Sequence, residues 1–429
     1  MARAIAMMLG IAACGGGHGH TPDAASSDTA AADAAVDAAP PRLQLASSGT
    51  QLIVTGPQLG FQITAADLGE DADVIEIHQE FYGVPWDAFV AGTQPPAAWV
   101  AIMDGIAADA KASGKPVFLS VSMLNGQRDS LAAKTTVDAS GQVNATDGWA
   151  ASCYDFGSAP DAATYRAAYL AYVQWMLDEF HPTYLNFAIE VNLFFEKCPT
   201  AAAGLVAVAN ATYAMAKADD PALVAAFPSI QIDHLYGYST DSCPDQSQRD
   251  ACFDQLYAEI VPLQRDRFAM SSYPQLSGLT PATLPADWFT RGAARGGERA
   301  VVAETGWNST NLVAQSRDSG CITVLTASDA EPAAYLARVI SDGQAAHMDF
   351  VNWWSDRDLV VAPLMTDCPC TFDATWCAVL DAFRGPPTTS GPDTQLLGEI
   401  GLKAFAAMGV RAYDGSAKSF YATWAAARD

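Results

Sequence analysis

Two acidic side chains stand at the ends of short apolar runs. In Arg299-Ala300-Val301-Val302-Ala303-Glu304-Thr305-Gly306-Trp307-Asn308, small and apolar residues lead into a carboxylate, and a Gly and a Trp follow it closely. In Tyr184-Leu185-Asn186-Phe187-Ala188-Ile189-Glu190-Val191-Asn192, a second run closes on a second carboxylate. Short apolar runs of this kind read as buried strands. An acid at the end of each is lifted into a cleft. Two such acids can divide the cleavage of a glycosidic bond between them. One protonates the leaving oxygen and the other attacks the anomeric carbon, with the carboxyls roughly 5–5.5 Å apart. The first needs a raised pKa and the second must stay ionised. Ala188 and Ile189 are apolar flanks that favour a raised value for Glu190.

The elements that would carry these acids alternate along the chain. Strand candidates fall at 59–63, 73–79, 116–122, 183–190, 229–235, 266–272, 299–304 and 348–354. Helical patterns lie between most of them, at 96–113, 161–180, 200–219, 249–263, 282–295 and 330–346. Strands alternating with helices imply a parallel sheet, and eight such units imply a (β/α)8 TIM barrel. Before it, Arg42–Ala46 and Gln51–Val54 read as a hairpin that plugs the barrel bottom. The first crossover, 64–72, is short for a helix.

Side chains alternate along a strand. The outward set is then Ile75 and Ile77, Val117, Leu119 and Val121, Leu185, Phe187 and Ile189, Phe268 and Met270, Val301 and Ala303, and Met348 and Phe350. The inward set is small and polar, with Glu76, His78, Glu80, Glu190, Ser271, Tyr273, Glu304 and Trp353 toward the C-terminal ends. Active sites of such barrels sit at that face. Glu190 ends strand four and Glu304 ends strand seven.

These motifs carry a resemblance. The chain looks like the clan of retaining glycoside hydrolases with catalytic glutamates on strands four and seven. Glu304-Thr305-Gly306-Trp307 is similar to the nucleophile segment of family 17 glucanases. Ser272-Tyr273-Pro274 and Glu190-Val191-Asn192 resemble family 53 β-1,4-galactanases. The resemblance covers about 59–410 through short motifs. It implies Glu190 as acid/base and Glu304 as nucleophile. It also implies Tyr273 as a hydrogen-bond partner of the nucleophile and Trp353 as a sugar platform. The clan places Asn immediately before the acid/base, where this chain has Ile189; Asn186 and Asn192 are candidates to compensate.

Further candidates for substrate contact are Trp307, Trp86 and Tyr82, His78, Glu80 and His234. Each also has a plain structural reading, as a packed aromatic or a satisfied core histidine. Of the adjacent Trp353 and Trp354, only one can face the cleft. Two other function classes stay open. One is a non-catalytic carbohydrate-binding barrel, motivated by Ile189. The other is a metal-dependent deacetylase or hydrolase using His78, Glu80 and Asp233. No cofactor and no metal are expected, because the six histidines are scattered and no phosphate-binding glycine loop or Gly-x-Ser-x-Gly elbow occurs.

Composition bounds the partners. The 429 residues carry a formal charge of -25, which repels nucleic acid and anionic polymers and leaves a neutral polysaccharide or oligosaccharide as the expected substrate. A monomer is expected. The N-terminus reads as an export signal: Arg3, an apolar stretch Ala4–Ala13, and a lipobox Ile11-Ala12-Ala13-Cys14. The chain would be exported and anchored to the bacterial envelope or cell surface through a lipid on Cys14. Residues 15–42 form a low-complexity tether, leaving 43–429 as the folded domain. Apart from Cys14, eight cysteines remain, an even number that predicts disulfides in an exported chain. Cys243 and Cys252 flank one loop and should pair. Cys368-Pro369-Cys370 with Cys377 resembles a metal knuckle only weakly. The loop 125–160 should wall the cleft, with Asn125 and Gln127 nearest strand three, and 355–395 should form a disulfide-stapled rim.

Overall fold

The computed structural model describes residues 42–428 apart from 56–57, 64–67, 69, 220–221, 239, 241, 244 and 385–392. The expected signal, Cys14 and all but the end of the tether lie outside them. Eight parallel strands close into a barrel. They are β1 (Gln44–Ser48), β2 (Val74–His78), β3 (Val117–Ser120), β4 (Tyr184–Ala188), β5 (Ala225–Gln231), β6 (Phe268–Ser272), β7 (Ala300–Thr305) and β8 (Phe350–Trp353). Helices α1 (Ala97–Ser113), α2 (Ala162–Phe180), α3 (Ala202–Asp219), α4 (Arg249–Ile260), α5 (Arg291–Gly296) and α6 (Ala330–Ala345) occupy the crossovers from β2 to β8. This is the (β/α)8 fold that the alternation predicted.

The first strand is not the one expected. Residues 44–48 join the barrel, parallel to both β8 and β2, instead of plugging its bottom. Leu45 packs toward the helices and Ala46 toward the interior, so this short run has two apolar faces to bury. The 59–63 candidate is a strand, but Gln58–Ile63 pairs antiparallel with Thr50–Thr55 in a separate ribbon. Strand five also begins earlier, and Ile232–Leu235 is a helical turn past its end.

Ala46, Val74, Phe118, Tyr184, Ala225, Phe227, Ala269, Val301, Ala303 and Phe350 form one buried cluster. All eight strands contribute to it, so these side chains fill the barrel interior. Phe350 meets Phe118 and Tyr184 at ring separations of 4.9 Å each. The lower interior is therefore aromatic and aliphatic, and the polar set is confined to the upper end. The outward set holds for β2, β3, β4 and β6. It is inverted on β7 and β8, where Val302, Val351 and Trp353 pack toward the helices.

Four disulfides staple the loops: Cys153–Cys198, Cys243–Cys252, Cys321–Cys368 and Cys370–Cys377. The second is the pairing its spacing predicted. The third ties the rim after β8 to the ribbon Leu312–Ser316/Gly320–Leu325 that follows β7, and the fourth closes a loop within that rim. That rim carries α7 (Ala374–Arg384) and α8 (Thr394–Ala404), and α9 (Tyr421–Arg428) ends the described chain.

Candidate active site

Glu304 reaches the mouth of the barrel because β7 bulges. Met270 pairs with Val302 but Ser271 pairs with Glu304, so Ala303 is one extra residue. The bulge keeps Ala303 in the interior and still turns Glu304 inward, as bulges beside active sites commonly re-aim a side chain. Thr305 then points to the helix layer, where its Oγ1 lies 2.7 Å from the Tyr335 hydroxyl and donates to the Ser272 carbonyl at 2.7 Å. Gly306 follows because a Cβ there would meet the Trp354 carbonyl oxygen at 2.7 Å.

Glu190 lies just past β4 with φ of 49°, a left-handed conformation that is costly for a non-glycine residue. Local bonds hold it there. Its N–H donates to Ser229 Oγ at 2.9 Å, and Asn186 Nδ2 donates to the same oxygen at 3.1 Å. Its carboxylate Oε1 accepts from Ser271 Oγ at 2.7 Å. Ser271 is also the register partner of Glu304, on strands about 4.8 Å apart. One serine thus touches the first acid and stands beside the second.

The two acids sit in a charged ring. Tyr273 donates its hydroxyl to Glu304 Oε1 at 2.6 Å. His78 lies 3.1 Å from Glu76 through Nδ1 and 3.4 Å from Glu80 through Nε2. Arg128 forks onto Glu80, and its Nη2 is 3.5 Å from Glu190 Oε2. Burial and the charge of Glu190 push the Glu304 carboxyl up to about 7, against the opposing pull of His78 and the Tyr273 hydroxyl. Burial alone would lower His78, but its bonds to Glu76 and Glu80 outweigh that and hold it at about 10. Glu80 would be raised by burial, and Arg128 and His78 hold it down at about 2 instead. Asp233, just past β5, is pushed by burial up to about 7, although it accepts from the Tyr273 N–H at 3.2 Å.

The structure brings Glu190, Glu304, Tyr273, His78 and Glu80 together. It places the other candidates elsewhere. Asn192 spends its amide on Gln231, accepting the N–H at 2.8 Å and donating to the carbonyl at 3.1 Å. Trp353 packs toward the helices and donates to the Met408 carbonyl at 2.7 Å. Trp307 is buried against Tyr335, with centroids 4.7 Å apart. Trp86 is buried under the β3 loop, bonded to the Ala132 carbonyl at 2.9 Å. His234 faces Glu196 at 3.3 Å.

The aromatic wall of the cleft is Trp354, Phe81 and Phe405. Trp354 lies 5.2 Å from the His78 ring, and Phe405 lies 5.1 Å from Tyr273. Sequence reasoning missed Arg128, Phe405 and the bond from Ser271. Ser271 could be read as inward-facing, but the loops that carry Arg128 and Phe405 have no period to read.

His78, Glu80 and Asp233 do not bring ligand atoms to a common point among the described residues. Asp367, Cys370 and Cys377 come within metal-ligand reach, but the two sulfurs are joined to each other.

Fold and site together define a class: a parallel (β/α)8 barrel with paired carboxylates at its C-terminal mouth. No protein-family model matches the chain, and no curated protein sequence matches it. Solved structures are similar to the chain at low sequence identity. The chain is similar to a GH5_18 protein of Bifidobacterium longum subsp. longum in complex with Manβ1-4GlcNAc, with a TM-score of 0.47 and 14% identity, over 84% of this chain and 69% of that one. It is similar to an exo-β-1,4-mannosidase from Opitutaceae bacterium strain TAV5, with a TM-score of 0.48 and 13% identity, over 85% of this chain and 53% of that one. A fungal β-1,4-galactanase aligns with a TM-score of 0.46 and 11% identity, over 85% and 91%. The chain thus spans about half the length of the mannosidase.

Proposed function

We propose that this protein is a retaining β-glycoside hydrolase acting on a neutral polysaccharide or oligosaccharide. The observation that carries the reading is the convergence on Ser271, which bonds Glu190 through Oγ and pairs in register with Glu304. Glu304 is the nucleophile. Its carboxylate, held by the Tyr273 hydroxyl, attacks the anomeric carbon while Glu190 gives its proton to the leaving oxygen. A covalent glycosyl-enzyme results. Glu190 then takes a proton from water, and that water displaces Glu304, so the anomeric configuration is retained. Burial and the charge of Glu190 raise the Glu304 carboxyl to about 7, so the attacking carboxylate is available from neutral pH upward. A glycosidic oxygen beside Glu190 accepts a hydrogen bond only from the protonated acid, which favours the working arrangement. The acidic ring and the overall charge of -25 support a neutral sugar. Export with a lipid on Cys14 belongs to the same proposal, and radiolabelled palmitate incorporation lost in Cys14→Ser tests it.

A panel of β-mannans, β-galactans and β-glucans, with product anomers followed by NMR, tests the activity. Wild type should cleave at least one with retention, and Glu304→Ala should lose several orders of magnitude. Equal inactivity of both folded proteins would favour the second reading, a non-catalytic carbohydrate-binding barrel. The observation behind that reading is Ile189, fully buried beside Glu190 where it offers a sugar no polar group.

A further inference from the structure

The turn after β3 delivers a cation to the mouth. Arg128 is buried and adopts φ of 54°, again left-handed. Its N–H donates to the Asn125 carbonyl at 2.9 Å, and its Nη1 returns to the same oxygen at 2.8 Å. Asn125 in turn bonds Asp129 at 3.0 Å and Asp147 at 3.2 Å. The Cys153–Cys198 bridge lies against this turn. The Cys153 N–H donates to the Asp129 carbonyl at 2.6 Å, and Lys197, one residue before Cys198, donates to the Gln127 carbonyl. Lys197 ends the helix Asn192–Lys197 that begins just after Glu190. The bridge therefore fixes the Arg128 turn and the Glu190 segment to each other.

The guanidinium is shared between two carboxylates. It forks onto Glu80, with Nη2 3.2 Å from Oε2, and the same nitrogen is 3.5 Å from Glu190 Oε2. Behind Glu80 stand His78 and Glu76. The line Glu76, His78, Glu80, Arg128, Glu190 alternates in sign. Other titratable groups face Glu190 from the remaining elements: Glu304 from β7, Tyr273 past β6, Asp233 past β5 and Lys197 from its own helix.

We propose that Arg128 is a positioning residue for Glu190, and that Glu80 sets how strongly Arg128 acts on it. Arg128 fixes one carboxylate oxygen of Glu190 while Ser271 fixes the other. Glu80 neutralises most of the guanidinium charge, so Glu190 can still be protonated beside a cation. Without the Glu80 charge, Arg128 would turn its full field on Glu190 and favour the carboxylate. Without Arg128, Glu190 would face Glu80 and Glu304 unshielded and would hold its proton more tightly. The proposal deepens the reading of Glu190 as acid/base and rests on it.

The test is a 13C NMR titration of the Glu190 carboxyl in the full chain, in a Glu304→Gln background and assigned with Glu190→Gln. Glu80→Gln should lower the Glu190 midpoint, and Arg128→Met should raise it, each by about one pH unit or more. Arg128→Lys keeps the charge and should stay near the parent. Coinciding midpoints in the parent, Glu80→Gln and Arg128→Met would overturn the proposal. Should Arg128→Met not fold, Glu80→Gln alone decides, since an unmoved or raised midpoint there contradicts the mechanism. The titration needs no turnover, so failure of the glycosidase reading is seen separately on the polysaccharide panel. On any β-glycoside that the wild type cleaves, the alkaline limb of kcat/KM should move down in Glu80→Gln and up in Arg128→Met.

Discussion

Glu304 has neighbours of two kinds that act in opposite directions. Burial and Glu190 hold its carboxyl in the protonated form up to about pH 7, while His78 and the Tyr273 hydroxyl favour the carboxylate. Glu190→Gln removes the opposing charge, so Glu304 should ionise at lower pH. With an aryl glycoside whose leaving group departs unprotonated, the acidic limb of kcat/KM should move down by about one unit. An unmoved limb would leave burial and the charge of Glu76 as the causes of the shift. Tyr273 can be tested at the same scale. Its hydroxyl bond to a charged group is worth about 1.5–3 kcal/mol. If that bond steadies Glu304 as it attacks, Tyr273→Phe should lower kcat/KM roughly tenfold to a hundredfold with Tm nearly unchanged. A large Tm loss with normal kcat/KM in the surviving protein would make Tyr273 a packing residue.

At the level of the strands, alternation told the inside from the outside only where one face was polar. On β2, the sequence Val74-Ile75-Glu76-Ile77-His78 has one reading, because Glu76 and His78 cannot face the helices. On β7 the residues before Glu304 are apolar on both faces, and on β8 only Asn352 marks one of them, so a slip of one residue exchanges the faces with little visible conflict. The bulge at Ala303 compounds this by letting Val301 and Glu304 share the inner side. Strand one was missed for a related reason: 44–48 and 58–63 both satisfy the pattern, and only the closure of the sheet distinguishes them. The glutamates were legible because each ends an apolar run. Arg128 was not, because a loop held by Asn125 and a disulfide has no period. The exchange on β8 has a measurable consequence. Trp353→Ala should cost about 3–5 kcal/mol of stability, as for a buried large-to-small change, with KM unaltered in the folded fraction. Trp354→Ala should raise KM, since Trp354 packs edge-on against His78 and tilted against Phe81 at the mouth. The reverse pattern would restore Trp353 as the platform.

Across the whole molecule, the buried charges concentrate stability on the acid side of neutral. Glu80 titrates at about 2 in the fold, so its contribution is complete above the ordinary value of 4.5 and lost only as pH falls toward 2. His78 is raised to about 10, so its contribution is complete below 6.5 and lost as pH rises through 10. Four buried carboxyls act in the same direction as His78. Burial raises Asp233, Glu304 and Asp356 to about 7 and Asp358 to about 6. Between pH 4 and 7 the folded chain therefore binds more protons at these groups than the unfolded chain does. Stability must then fall as pH rises through that interval. Asp71 does not change this slope. Its bonds to Arg411 and Tyr421 outweigh burial and hold it below its usual value, so it is already ionised. The self-repulsion of a chain with charge -25 acts in the same direction. Tm should peak near pH 4 and drop by several degrees toward pH 8. Asp233→Asn and Glu304→Gln should each flatten the descent, because each removes a proton that the folded state holds. A Tm that climbs steadily from pH 5 to 8, or a slope that neither variant changes, would mean that these carboxyls are not protonated in the fold.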